Sequence, residues 1–126
     1  MDTTLNLIPG MTAEVGILCD LSAGGRGLGA FVYNKASLSY KGQQHDVVNG
    51  WIVEDKNVGS IESAGKKPAV YYTHKKPEKN TLCLFDYRGK LISAVHIIAI
   101  PIHDHSSIVQ GGPAYATYFS DDESIE

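Results

Sequence analysis

His103 and His105 carry the sharpest chemical signal in the sequence. They flank Asp104. Residues two apart on a strand point the same way, with Cα atoms about 6.5–7 Å apart, so both imidazoles would face one direction and Asp104 the other. One such pair is half a metal site. Three copies around a threefold axis would gather six nitrogen ligands, a donor set that suits iron, nickel or zinc. The plainer reading of His103 and His105 is two surface histidines at a strand end, ahead of Ser106 and Ser107.

Two other segments invite chemistry. Ser22-Ala-Gly-Gly-Arg-Gly-Leu-Gly-Ala30 clusters glycines whose backbone N–H groups could turn toward an anion. A phosphate loop, however, needs Gly-Lys-Ser/Thr opening a helix, and a dinucleotide fingerprint also needs a helix after its glycines. Here the β-prone Phe31-Val32-Tyr33 follows, so the expectation is a hairpin or arm. For nucleophilic catalysis the candidates are Ser106, Ser107, Cys19 and Cys83, with His45, His74, His96, His103 or His105 as bases. The sequence holds no Gly-x-Ser-x-Gly elbow, no His-Glu-x-x-His and no paired cysteine knuckle, and its carboxylates are scattered or gathered near residue 126. The expectation is a protein that is not an enzyme.

The elements that would position these residues read as strands. Short apolar runs alternate with turn residues, and no stretch of a dozen residues holds the three-to-four spacing of an amphipathic helix. Candidate strands are Met11 to Cys19, Leu28 to Tyr33, Ser37 to Lys41, Asp46 to Glu54, Ala69 to His74, Thr81 to Tyr87 and Lys90 to Ile102. Lys41-Gly42, Asn49-Gly50, Asn57-Val58-Gly59 and Arg88-Gly89 are turn or bulge signals. Asp86-Tyr87-Arg88-Gly89 reads as a tight hairpin connection. Trp51, inside an alternating apolar run, reads as a core ring. Tyr71, Tyr72, Tyr115, Tyr118 and Phe119 read as amphipathic contact groups of the kind interfaces favour.

In Leu91 to Ile102 both alternating faces are apolar, with Leu91, Val95, Ile97 and Ala99 on one and Ile92, Ala94, Ile98, Ile100 and Ile102 on the other. Such a strand wants cover on both sides. At roughly 3.3 Å per residue it would run about 40 Å, long for a domain of this size. Either it is a central strand inside one monomer, or part of it meets another subunit.

With 126 residues the chain is sized for one domain, and its 43% apolar and 20% charged residues are ordinary for a globular protein. The net charge is −3, and the lysines that cluster (Lys66, Lys67, Lys75, Lys76, Lys79) sit beside Pro68 and Pro77, so a solvated loop is expected and a nucleic-acid surface is not. No signal peptide or membrane-crossing stretch is read. Cys19 and Cys83 lie among apolar residues, which favours buried thiols and a reducing compartment, with one buried disulfide as the alternative. Ser120 to Glu126 carries four carboxylates in seven residues and is expected to be mobile, or ordered only against a basic partner.

From Ile102 onward, His103-Asp-His105-Ser-Ser-Ile-Val-Gln-Gly-Gly-Pro-Ala-Tyr-Ala-Thr-Tyr-Phe119 resembles segments of structural proteins of tailed bacteriophages. The paired histidines are similar to the His-x-His element near the tip of trimeric baseplate spikes, where threefold-related histidines hold iron. Ser107-Ile108-Val109-Gln110-Gly111-Gly112-Pro113 resembles the Ile-x-x-Gly-Ser-Pro turns of PAAR-type spike tips. This chain departs from both patterns: it has one copy of the turn, no cysteine near the histidines, and too few residues for a long β-helical needle.

The resulting expectation is an all-β, single-domain β-sandwich or β-barrel with extended N- and C-terminal arms. Residues 1–10 would form an arm, residues 11–102 the core, and residues 103–126 an extended segment with the acidic tail. The resemblance implies a virion structural protein, made in the host cytoplasm and assembling as a homotrimer or higher ring with other virion proteins. A tail or baseplate component is favoured over a capsid decoration protein. A structural iron or zinc ion shared between subunits at His103 and His105 would follow from the threefold arrangement. The rivals are a small β-barrel module binding a peptide or ligand, its cleft lined by the glycine loop and tyrosines, and a metal-dependent enzyme using His103 and His105 with a third ligand elsewhere.

Overall fold

A computed structural model describes residues 2–19, 32–66, 69–99 and 114–118. The described residues form ten strands: β1 (Asp2–Leu7), β2 (Thr12–Cys19), β3 (Ser37–Tyr40), β4 (Gln43–Asp46), β5 (Trp51–Val53), β6 (Gly59–Ser63), β7 (Val70–His74), β8 (Asn80–Phe85), β9 (Leu91–Ala99) and β10 (Ala114–Tyr118). One sheet runs β1-β9-β8-β5, a second β10-β2-β7-β6, and β3 and β4 form a separate hairpin. The fold is all-β and fits a single sandwich or barrel-like domain, as the strand pattern implies.

The two four-stranded sheets face each other across one core. Leu5, Leu7, Trp51, Leu82, Leu84, Val95 and Ile97 come from the first sheet, and Ala13, Val15, Val70 and Tyr72 from the second. Trp51 is fully buried, as its alternating neighbours imply. At about 25 cal/mol per Å² of apolar surface removed from water, rings of this size dominate such a core.

The sequence's most apolar segment becomes β9, a central strand hydrogen-bonded to β1 on one side and β8 on the other. Its Val95 and Ile97 face the core, and Ala94 on the opposite side is only 7% exposed. Through Ala99 this strand is therefore largely covered within its own chain. Residues 100–102, the end of the expected strand, lie outside the described residues.

Turn chemistry sets several registers. Lys41 and Gly42 both take positive φ (53° and 77°) between β3 and β4, and Asn49 and Gly50 do the same (51° and 87°) ahead of β5. Paired positive φ is the geometry that two-residue hairpins need. The second of these turns breaks the expected strand from Asp46 to Glu54, of which only Asp46, the last residue of β4, and Trp51–Val53, which is β5, lie in strands. Gly50 is doubly constrained, because a Cβ there would lie 2.8 Å from Val32 Cβ. Between β8 and β9, Asp86 Oδ1 accepts hydrogen bonds from the Arg88 and Lys90 backbone N–H groups, both at 2.9 Å, and the Gly89 N–H donates to Asp86 O at 2.9 Å. This is the tight connection expected at Asp86 to Gly89.

Two expectations are corrected. Residues 1–10 are not a free arm: β1 lies parallel to β9, with Leu5 opposite Ile97 and Leu7 opposite Ala99, and both leucines are buried. Two alternating leucines suffice to anchor the strand once β9 offers a partner. Tyr72 is not a surface contact group but fully buried, whereas its neighbour Tyr71 is 38% exposed, because adjacent residues on β7 face opposite sides of the sheet. Within residues 103–126, β10 pairs parallel with β2, Ala114 opposite Val15 and Tyr118 opposite Cys19.

Candidate functional site

The β3–β4 hairpin lies on the outer side of the first sheet. Leu38 and Tyr40 from the hairpin, with Tyr33 and Val47, cover Ile52, Cys83 and Phe85. Tyr40 meets Phe85 edge-on, with ring centroids 5.1 Å apart. Cys83 is a free, buried thiol whose Sγ lies 3.7 Å from Glu54 Oε2, the oxygen that also pairs with Lys41 Nζ at 3.3 Å. Burial first, and then the Glu54 carboxylate, push the thiol up to about 12. A thiol held there supplies no thiolate near neutral pH, so Cys83 is a packing group and not a nucleophile.

β4 is polar throughout and turns one residue inward. Gln43, Gln44 and Asp46 are exposed, while His45 is 6% exposed, its ring centroid 6.4 Å from that of Tyr40. His45 floors two adjoining depressions. The larger, about 550 Å³, is lined by Gln43 from β4, Glu54 to Asn57 from the β5–β6 connection, and Lys79 to Thr81 at the start of β8. The smaller, about 270 Å³, shares His45 and Lys56 and adds Val48, Val53 and Ile61. Neither is lined by the tyrosines that sequence reasoning favoured.

One amide fixes the wall of the larger cleft. Asn80, 5% exposed, has all four of its hydrogen-bonding positions filled. Its Oδ1 accepts from the Asp55 and Thr81 backbone N–H groups at 3.0 and 2.9 Å, and its Nδ2 donates to Asp55 O at 2.9 Å and to the Tyr72 hydroxyl at 3.0 Å. Asp55 Oδ1 in turn accepts from the Asn57 N–H at 2.9 Å. The turn is thus tied through Asn80 to the core.

The chain of bonds ends at His74, which is fully buried. The Tyr72 hydroxyl accepts from Asn80 Nδ2 and lies 3.1 Å from His74 Nδ1, in a hydrogen bond whose donor is set by the His74 tautomer. His74 Nε2 has no partner among the described residues. Burial lowers the His74 pKa, and the Lys76 backbone pulls the other way. Burial also pushes Tyr72 up to about 12, against the lowering effect of the Asn80 bond. Gly59 makes room for this pair, since a Cβ there would overlap the Tyr72 hydroxyl and ring.

No protein-family model matches this chain, and no curated protein was found to be similar to it. Its chemistry therefore rests on the residues themselves. His103, His105, Ser106, Ser107, the glycine segment 22–30 and the acidic tail all lie outside the described residues. Of the other candidate bases, His45 floors the cleft, His74 is sealed in the core, and His96 Nδ1 is 3.4 Å from Thr81 Oγ1. Among the described residues no three of His, Cys, Asp and Glu gather where they could hold a metal ion.

Sequence reasoning missed the cleft because three separate segments build it. The available signal was slight: His45 occupies the one inward position of a polar strand, and Asn80 opens an apolar one.

Proposed function

We propose that this chain is a non-enzymatic assembly subunit of a tailed-phage virion, forming a homotrimer or higher ring, and that it serves as a tail or baseplate component. The phage assignment is carried by the resemblance of the segment from Ile102 to Phe119. The assembly reading is supported by one observation, the edge of the first sheet at β1, whose outer side pairs with no strand among the described residues.

That edge contrasts with the opposite one. β5 is three residues long, and Trp51 exchanges hydrogen bonds of 2.9 Å with Val48 on its outer side, which blunts it. β1 is six residues, Asp-Thr-Thr-Leu-Asn-Leu, with no lysine, no proline and one charge. Among the described residues only β9 pairs with it. Natural sheets protect long edges with charge, proline or brevity, and an edge without these devices accepts another strand. A neighbouring copy pairing along β1 would extend the sheet across the interface.

Native mass spectrometry of the full chain tests the reading. A closed oligomer is expected, and Thr4→Lys with Asn6→Lys should shift it toward monomer while leaving the fold intact. A wild-type chain that stays monomeric at high concentration overturns it.

A further inference from the structure

The larger depression over His45 has a lining that narrows what it can hold. Lys56 and Lys79 contribute two positive charges, and Glu54 and Asp55 two negative ones, so the formal charges at its wall cancel. Neither lysine makes an ion pair among the described residues. Glu54 engages one oxygen with Lys41 and Cys83, and Asp55 engages one with the Asn57 N–H, which leaves each carboxylate an acceptor to spare. The side-chain amides of Gln43 and Asn57 add donors and acceptors in equal measure.

His45 supplies the second observation. Its side chain is more than nine-tenths buried, yet its ring has no hydrogen-bond partner among the described residues, and its nitrogens are not sealed from solvent. The ring lines both depressions, so the unsatisfied polar group lies at their shared floor. A buried polar group left in this way gains from a ligand that can bond to it.

A lone anion here would meet two carboxylates, and a lone cation two ammonium groups. Hydroxyl groups, which donate and accept at once, can satisfy both halves of the wall. A volume of about 550 Å³ lies within the usual range for small-ligand sites. We propose that the cleft floored by His45 binds a short neutral saccharide, its hydroxyls shared among Glu54, Asp55, Asn57 and Lys79, with one directed at the His45 ring.

The proposal is independent of oligomeric state and fails or stands separately from the assembly reading. The test is an NMR titration of the full chain with methyl glucoside, methyl galactoside, methyl mannoside, N-acetylglucosamine and maltose, with inorganic phosphate and tetraglycine as comparisons. Saturable shifts of the His45 ring and the Asn57 amide with at least one sugar are expected. Asn57→Ala and Lys79→Ala, at exposed positions, should each weaken that binding by about three- to tenfold, the worth of one hydrogen bond. Sugars that produce no shift, shifts confined to other surfaces, binding unchanged in both variants, or occupancy by phosphate or the peptide alone would each overturn it.

Discussion

His74 should make this fold sensitive to mild acid. The side chain is sealed in the core, its Nδ1 is hydrogen-bonded to the Tyr72 hydroxyl, and its Nε2 has no partner among the described residues. Protonating the ring would place a cation in the core where no carboxylate pairs with it among the described residues. The titratable group in contact is Tyr72. Asp55 acts on Tyr72 from the neighbouring turn, and the Lys76 backbone opposes the burial effect. An unfolded imidazole titrates near 6.5, and burial holds the folded value lower. Between the two values the unfolded chain binds the extra proton, so stability rises with pH through that window, is flat above about 6.5, and is lost as the pH falls. Each pH unit inside the window removes up to about 1.4 kcal/mol, a sizeable share of the roughly 5–15 kcal/mol that holds a domain together. Urea unfolding at about pH 7.5 and about pH 5.5, compared between the wild type and His74→Phe, isolates the effect, because the other histidines and the carboxylates contribute equally to both. The variant should be less stable at the higher pH but lose less on acidification. Equal losses in the two proteins would refute the reasoning.

Two further outcomes follow from the same core. Gly59→Ala forces a methyl into the Tyr72 ring and should cost about 1–3 kcal/mol, read as a lower urea midpoint with an unchanged slope; an unshifted midpoint would mean that Tyr72 is free to move. In a Cys19→Ser background, iodoacetamide at mildly alkaline pH should leave the native protein unmodified and label Cys83 only after denaturation, since that thiol is 1% exposed and pushed up to about 12. Rapid labelling of the folded protein would contradict its burial beneath the hairpin.

Local pattern made much of the scaffold legible. Alternation put Val95 and Ile97 together on one of the two apolar faces of β9 and marked Trp51, which is fully buried, as a core ring, while Asn49-Gly50 and Asp86 to Gly89 announced their turns. These features depend on a residue and its immediate neighbours. What stayed hidden depends on partners far away in the chain. β1 becomes a strand only because β9, some ninety residues later, offers it a parallel ladder, and parallel pairing leaves no turn signal. β6, mostly polar, is held by β7 and by the absence of a side chain at Gly59. The cleft is harder still to see, because Gln43, Asp55 and Lys79 meet only after three segments have folded. Asn80 explains why that meeting is well defined, yet in the sequence it is one amide ahead of an apolar run.

The fourfold bonding of Asn80 has a consequence for selectivity. Because the turn bearing Asp55 and Asn57 is moored to the interior before anything arrives, a guest finds a mould that is already cast. Little ordering entropy is then spent on entry, and little adjustment is on offer to a molecule of the wrong outline. Discrimination by shape is thus built into the resting state, and loosening the mooring from inside the core would blur it without altering a single group at the surface.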